Sequence, residues 1–163
     1  MESIKNSLAF ELHTNAIFLA ERLLAQVDNE DVRMLLAEAY LGNGKTYKAY
    51  EVLKSCSEPA SRYKFALTCL KLNKLSEAER ALLLEKPNNA AGLYLLGKVR
   101  ELQSKKKDAI KSYTKALQKD PTLWCAYERL CALQPKELDA AKFFTEDHPV
   151  IQRLNGYIFS EID

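Results

Sequence analysis

One glycine- and lysine-containing segment resembles a nucleotide-binding motif. Residues 42–46 are Gly-Asn-Gly-Lys-Thr, and a Gly-Lys-Thr ending surrounds the β- and γ-phosphates in a phosphate-binding loop. That motif also requires a glycine at position 39, where this chain has Ala39, and a preceding strand, where this chain has a helical pattern. We therefore predict that Gly42 and Gly44 belong to a turn between helices and that the segment binds no nucleotide.

The cysteines and histidines predict no metal or redox site. No two of the four cysteines have the two-residue spacing of zinc-binding and redox motifs, and both histidines lie far from them in sequence. Cys69 and Cys131 fall in apolar helical patterns, where a thiol packs as a small hydrophobic group. No nucleophile is spaced with a base as a catalytic relay requires. We expect no catalytic residue, no metal and no cofactor.

The strongest charge run is Lys105, Lys106 and Lys107. Three lysines within one turn could bind phosphate or an acidic partner, but a solvated turn is the simpler interpretation. The whole chain has 24 basic and 22 acidic residues, a net charge of +2. This balance does not favour nucleic acid or an anionic membrane as the main partner. We expect the partners to be proteins.

The composition predicts an all-α domain in a soluble, intracellular protein. Only 5 Gly and 5 Pro occur among 163 residues, and the dominant residue types are good helix formers. Residues 1–12 lack the apolar core and small-residue cleavage site of a secretory signal. No run approaches the roughly 18 to 20 apolar residues that span a bilayer.

A repeated spacing of small residues decides the predicted fold. In three successive units a small residue is followed twelve positions later by another, and four positions after that by a large residue. Antiparallel helices can approach closely only where both carry Gly or Ala, so each pair marks a helix crossing. The small pairs are Ala37 with Ala49, Ala66 with Ala78, and Gly97 with Ala109, and the large residues are Leu53, Leu82 and Tyr113.

These spacings match the tetratricopeptide repeat, and residues 90–121 follow its pattern most closely. We predict an all-α, TPR-like superhelical stack of antiparallel helical hairpins, forming a single domain over 1–163. The predicted hairpins are 2–27, 30–55, 60–86, 90–119 and 122–145, with 146–163 as a cap or tail. Pro59 and Pro87 separate neighbouring hairpins. Asn15, Ser76 and Asp108 are predicted to cap the second helices.

The groove of such a stack is lined by the first helix of every hairpin, and here it is predicted to be unusually apolar. An apolar strip of this size indicates a partner site. Its predicted members are Met34, Leu41, Tyr63, Leu67, Leu70 and Tyr94.

The first helix has a second apolar feature. Ile4, Leu8 and Leu12 form one stripe that should pack inside, whereas Phe10 points away, flanked by Ser3, Asn6 and Ser7. We hypothesise that this hairpin, through Ile4, Leu8 and Phe10, docks in the groove of a second copy. The alternative that Phe10 covers the following helix stays open. Trp124 could be an interface anchor, but we favour core packing between hairpins.

Four segments are similar to the N-terminal region of the TPR scaffold subunit that recruits co-activators to the anaphase-promoting complex. They are AIFLAERL at 16–23, YKAYEVLK at 47–54, SRYKFAL at 61–67 and LWCAYERLC at 123–131. The resemblance implies a homodimer inside a multisubunit ubiquitin ligase that acts in mitosis, with other subunits as partners and a nuclear and cytoplasmic location.

The alternative function is a TPR adaptor or co-chaperone that binds a peptide tail in its groove. Such proteins hold the terminal carboxylate with basic residues. Only Lys98 occupies a clamp position here, beside Glu38 and Glu101, so a carboxylate would be held poorly.

Overall fold

The computed structural model describes residues 1–84, 89–133 and 143–153. Nine helices lie in these ranges, residues 149–153 are also helical, and no strand occurs there, which confirms the predicted all-α class. The helices are α1 (Glu2–Ala9), α2 (His13–Leu24), α3 (Glu30–Gly42), α4 (Thr46–Leu53), α5 (Pro59–Lys71), α6 (Leu75–Leu84), α7 (Ala90–Leu102), α8 (Lys106–Lys119) and α9 (Trp124–Leu133).

The chain divides into two compact units, residues 1–85 and 86–163. In unit 1, α1 packs on α2, α3 on α4, and α5 on α6, while α2 contacts α3 and α4 contacts α5. In unit 2, α7 packs on α8, which contacts α9. The single domain over 1–163 stays a prediction. Most of the second helix predicted for the hairpin 122–145, and Pro87, lie outside the described residues.

All four helix pairs turn through the same backbone geometry. The middle residue of each three-residue turn is left-handed, with φ of 57° at Glu11, 70° at Gly44, 58° at Asn73 and 62° at Ser104. The next residue donates its N–H to the carbonyl five positions back, which closes the preceding helix with a Schellman motif. These bonds run from Leu12 to Ser7, Lys45 to Tyr40, Lys74 to Cys69, and Lys105 to Arg100, at 2.8 to 2.9 Å.

This turn makes the predicted caps of the second helices wrong. Each second helix begins two residues after the left-handed residue, so Asn15, Ser76 and Asp108 lie inside the first turn rather than before it. The turn returns the chain to helical geometry without a side-chain cap, and Leu12 and Lys105 occupy the cap positions of α2 and α8.

Side-chain caps occur instead on two of the first helices, α3 and α7. Asn29 Oδ1 accepts the Val32 N–H at 2.9 Å at the start of α3, and Asn89 Oδ1 accepts the Gly92 N–H at 2.6 Å at the start of α7. Each bond satisfies one of the donors that a helix N-terminus leaves free. Both first helices therefore begin at a fixed residue.

In the hairpin of α7 and α8, the two helices pack through positions sixteen residues apart. A β-carbon added at Gly97 would lie 2.5 Å from Tyr113 Cε1, so the fully buried Tyr113 ring occupies the space that glycine leaves. The positions of the same register in the other hairpins are all buried, and they are Ile4 and Ala20, Ala37 and Leu53, and Ala66 and Leu82. A large residue is matched with a small one in every pair, as close packing requires.

Hydrogen bonds link neighbouring hairpins in unit 1. The Glu30 carboxylate, at the start of α3, accepts the backbone N–H groups of Ser57 at 2.7 Å and Glu58 at 2.9 Å. These bonds from Glu58 and Ser57 lower the pKa of Glu30 to about 2. The Tyr50 hydroxyl donates to Glu77 at 2.8 Å, which joins α4 to α6. The Glu30 bonds therefore join the start of α3 to the start of α5, and the Tyr50 bond joins the two second helices.

The turn geometry predicts opposite effects of two exchanges. Gly44→Ala should lower the free energy of unfolding by about 1 kcal/mol, because alanine is strained at positive φ. No atom lies within 4 Å of the added β-carbon, so the effect is conformational alone. Ser104→Gly should raise the stability by relieving the same strain. Chemical denaturation measures both, and a neutral or stabilising Gly44→Ala would contradict the turn assignment.

The crossing predicts a coupled pair. Gly97→Ala should cost about 1 to 3 kcal/mol of stability, because the new methyl group overlaps the Tyr113 ring. In a Tyr113→Leu background the same exchange should cost much less, since the ring is gone. A double-mutant cycle by urea unfolding measures this coupling. Additive losses would show that residues 97 and 113 do not share the crossing.

Candidate protein-binding site

A groove of about 400 Å³ lies among the first helices of unit 1. Its apolar lining comes from Leu8 on α1, Leu41 on α3 and Leu67 on α5, three residues that the sequence predicted as interface positions. The remaining lining residues are His13, Glu38, Gly42, Lys64, Thr68 and Lys71. We call this surface the Leu8 groove. Its three leucines come from successive repeats because each hairpin contributes its first helix.

The polar residues of the Leu8 groove are partly paired within the chain. Lys64 Nζ lies 3.7 Å from Glu38 Oε1, and the buried Thr68 hydroxyl donates to the Lys64 carbonyl oxygen at 2.8 Å. Within the part of the chain that the structure describes, Lys71 has no carboxylate within ion-pair distance. The groove thus has an apolar lining, one ion pair and one further cation.

His13 lies at one side of the Leu8 groove. The sequence did not predict it as a groove residue. A β-carbon added at Gly42 would lie 2.3 Å from His13 Cε1, so the imidazole packs directly on the end of α3. Its Nδ1 is buried and has no hydrogen-bond partner among the described residues. The repeat pattern does not predict this contact. A glycine is expected near a turn without any packing partner, so Gly42 did not indicate a neighbouring ring.

Other predicted interface residues lie elsewhere. Met34, Tyr63 and Leu70 are half-buried on α3 and α5 and do not line the Leu8 groove. Tyr94 belongs to unit 2, where its ring centroid is 5.8 Å from that of Tyr113. The prediction that Ile4 lies at an interface is wrong. Ile4 is only 2% exposed and packs in the core of the first hairpin, where a partner cannot reach it.

Exposed apolar residues surround the turn of the first hairpin. Leu12 and Phe18 line one shallow pocket, and Phe10 stands two residues before Leu12 in the chain. We call these three residues the Phe10 patch. Their side chains are 77%, 56% and 55% exposed. The exposure of Phe10 rules out the alternative that it covers the following helix. Leu12 was expected in the buried stripe, but α1 ends at Ala9 and the left-handed Glu11 reverses the chain before Leu12.

Phe18 was also missed, although the repeat register could have found it. It lies two residues after the buried Ala16, as the exposed Glu51 and Arg80 lie two residues after Ala49 and Ala78 in the later hairpins. The Arg22 guanidinium lies 5.4 Å from the centroid of the Phe18 ring. Exposed apolar residues on a folded surface are the usual material of protein contacts.

A hydrogen-bonded pair holds the Phe10 patch in place. The Asn15 amide donates to Ser7 Oγ at 2.8 Å, and the Ser7 hydroxyl donates to the Ser3 carbonyl oxygen at 2.8 Å. Ser7 is buried, so its expected position on an exposed flank beside Phe10 is wrong. The bond joins α1 to α2 on either side of the turn.

Trp124 is not a core residue, contrary to the sequence-based expectation. Its side chain is 64% exposed, and its ring centroid lies 5.3 Å from that of Tyr127. The buried residues of α9 are Ala126 and Leu130. Trp124 lies two residues before Ala126, about 200° around the helix, and therefore faces away from the core.

The described residues contain no group of three or more His, Cys, Asp or Glu side chains that could hold a metal ion. Cys56 and Cys69 are buried thiols, and burial raises the pKa of Cys69 to about 11. Cys131, expected to be buried, is only half-buried. Within the same ranges, none of the helices combines the length and apolarity that a bilayer crossing demands.

Comparisons with known proteins find one family to which part of the chain is similar. Residues 11–84 match the family model described as anaphase-promoting complex, cyclosome, subunit 3. The cell division cycle protein 27 homolog B of Arabidopsis thaliana is 42% identical over 149 residues, which are 88% of this chain and 20% of the relative. The chain thus spans about a fifth of the length of this curated relative.

Solved structures share the fold. The APC/C hetero-tetramer Cut9-Hcn1 matches 96% of this chain and 38% of its own, with a TM-score of 0.72 and 21% identity. A putative kinesin light chain of Podosopora anserina with TPR-like repeats matches 96% of this chain and 94% of its own, with a TM-score of 0.68 and 16% identity. These likenesses confirm the predicted TPR-like stack of helical hairpins.

Proposed function

We propose that this chain, which belongs to the family of anaphase-promoting complex subunit 3, is a non-catalytic scaffold segment of that complex. The proposal includes the multisubunit ubiquitin ligase as its setting, the cell cycle and mitosis as its process, other subunits as partners, and the nucleus and cytoplasm as its location. Support comes from the related cell division cycle protein 27 homologues and from the TPR fold shared with Cut9.

We further propose that unit 1 forms a homodimer. The single observation that carries this is the presence of an exposed apolar patch and an apolar groove on the same unit. His13 lines the Leu8 groove and also the shallow pocket formed by Leu12 and Phe18, so the two surfaces share an edge. A two-fold axis near that edge lets each Phe10 patch enter the Leu8 groove of the other copy, which gives a closed pair.

The chemistry of the two surfaces fits this exchange. Phe10, Leu12 and Phe18 supply apolar side chains that are costly to leave in water. Leu8, Leu41 and Leu67 supply the apolar lining that would receive them. The charged residues Glu38 and Lys64 are already paired within one copy, so burying the groove leaves neither without a partner.

Phe10→Asp should weaken the dimer by at least about thirty-fold in Kd, which is about 2 kcal/mol, because the exchange removes the apolar ring that would fill the groove and brings a charge against its leucines. Sedimentation equilibrium measures the change. The matched control is Leu102→Asp, which replaces another exposed apolar residue, 56% exposed, in unit 2 and should leave the dimer intact. Phe10 is exposed, so the variant should keep its helical circular dichroism. A Phe10→Asp protein that remains dimeric would contradict the proposal.

A second candidate function is a TPR adaptor that binds a peptide tail in the groove. The observation in its favour is that Lys64 and Lys71 line the Leu8 groove, although Lys64 already pairs with Glu38. Lys71 alone would then hold a terminal carboxylate, which is weaker than a clamp of several basic residues. A parent chain that sediments as a monomer would favour this function over the homodimer.

A further inference from the structure

Helix α8 in unit 2 carries a concentrated positive charge on its outer surface. It contains five lysines, Lys106, Lys107, Lys111, Lys115 and Lys119, and one acidic residue, Asp108, and all six are exposed. The helix alone therefore carries +4, from five lysines less one aspartate, whereas the whole chain carries +2. We call this surface the α8 lysine face.

At the positions of these lysines, the other second helices carry different residue types. Residues 107, 111 and 115 stand two before, two after and six after the buried Ala109. The matching positions in and around the three other second helices are all exposed. They hold Thr14, Phe18 and Arg22 in α2, Tyr47, Glu51 and Ser55 around α4, and Ser76, Arg80 and Leu84 in α6. The fold requires a residue outside the core there but does not require lysine.

This arrangement opposes helix stability. Lys107, Lys111 and Lys115 are successive neighbours four residues apart, and like charges at that spacing repel. Lys106 and Lys107 lie in the first turn, where the helix dipole disfavours cations. Sequences that break local rules without a structural gain do so most often at functional sites.

The chain supplies little compensating negative charge. Lys111 Nζ lies 3.8 Å from Asp108 Oδ1. In the described ranges, no carboxylate pairs with Lys106, Lys107, Lys115 or Lys119. The positive potential of the α8 lysine face is therefore available to an external anion.

We propose that the α8 lysine face binds an acidic, Asp- and Glu-rich segment of a partner protein. From Lys107 to Lys119 the row extends about 18 Å along the helix, which matches about five residues of an extended peptide. Lysine is a point charge that suits carboxylates in varied geometry. The site lies in unit 2 and is independent of the dimer surfaces proposed for unit 1.

A nucleic acid fits this face less well. The sole aromatic residue of α8, Tyr113, is fully buried, and the helix contains no arginine. Surfaces for single strands combine cations with exposed aromatic rings on which bases stack, and phosphate recognition favours arginine. The α8 lysine face offers charge without either feature.

The test is fluorescence anisotropy of a labelled peptide of eight glutamates at low salt, using the full chain. The variant K107Q/K111Q/K115Q should bind at least tenfold more weakly than the parent, with a shallower dependence on salt. The matched control K45Q/K48Q/K54Q removes three exposed lysines from unit 1 and should bind within twofold of the parent. Both variants should remain folded by thermal melting, because every exchanged residue is exposed.

Two further ligands test which chemistry the α8 lysine face recognises. A peptide of eight glutamines should not bind, which shows that charge is recognised, and binding as tight as that of the glutamate peptide would overturn the proposal. A single strand of eight thymidines should bind more weakly than the glutamate peptide, and tighter binding of the strand would overturn the proposal in favour of a nucleic acid. Equal weakening by both triple variants, or no binding by the parent, would also overturn it.

Discussion

The close crossing of two antiparallel helices is the constraint on which this structure depends. Where Gly97 meets the Tyr113 ring, the absence of a side chain allows a large one to be fully buried, and Tyr113 also donates its hydroxyl to Glu101 at 2.8 Å. The same register recurs in each hairpin with other combinations of large and small residues. Because the crossing sets how the helices of a hairpin meet, it also decides which of their residues stay exposed.

The candidate binding surfaces consist of residues that the helix crossings leave exposed. In unit 1 the first helices supply Leu8, Leu41 and Leu67 to one groove, while the turn between α1 and α2 exposes Phe10. In unit 2 the outward register of α8 carries lysines. These surfaces can be chemically different because the core uses only one side of each helix. A scaffold can therefore acquire a new partner by changing surface residues without changing its packing.

The sequence predicted the hairpins from small residues at a fixed spacing, and these residues are all buried: Ala37, Ala49, Ala66, Ala78, Gly97 and Ala109. Their assignment to helix crossings stays a prediction. The sequence also predicted Leu8, Leu41 and Leu67 as interface residues, and the structure brings these three together in one groove. It failed at the turns, since left-handed Glu11 and Ser104 carry no glycine signal and the backbone closes the helix without a side-chain cap. Trp124 was misplaced because its size was weighed above its register, which points it away from buried Ala126.

In this register the first hairpin places a large residue before a small one, with Ile4 and Ala20 both buried, whereas the next hairpin has Ala37 and Leu53. Urea unfolding of Ile4→Ala, Ala20→Leu and the double variant at one chain concentration tests the packing register most directly. We predict that Ile4→Ala alone loses about 2 to 5 kcal/mol and that the double variant recovers at least half of it, because the volume is restored. The register would be contradicted if the double variant lost as much unfolding free energy as the two single variants lose together.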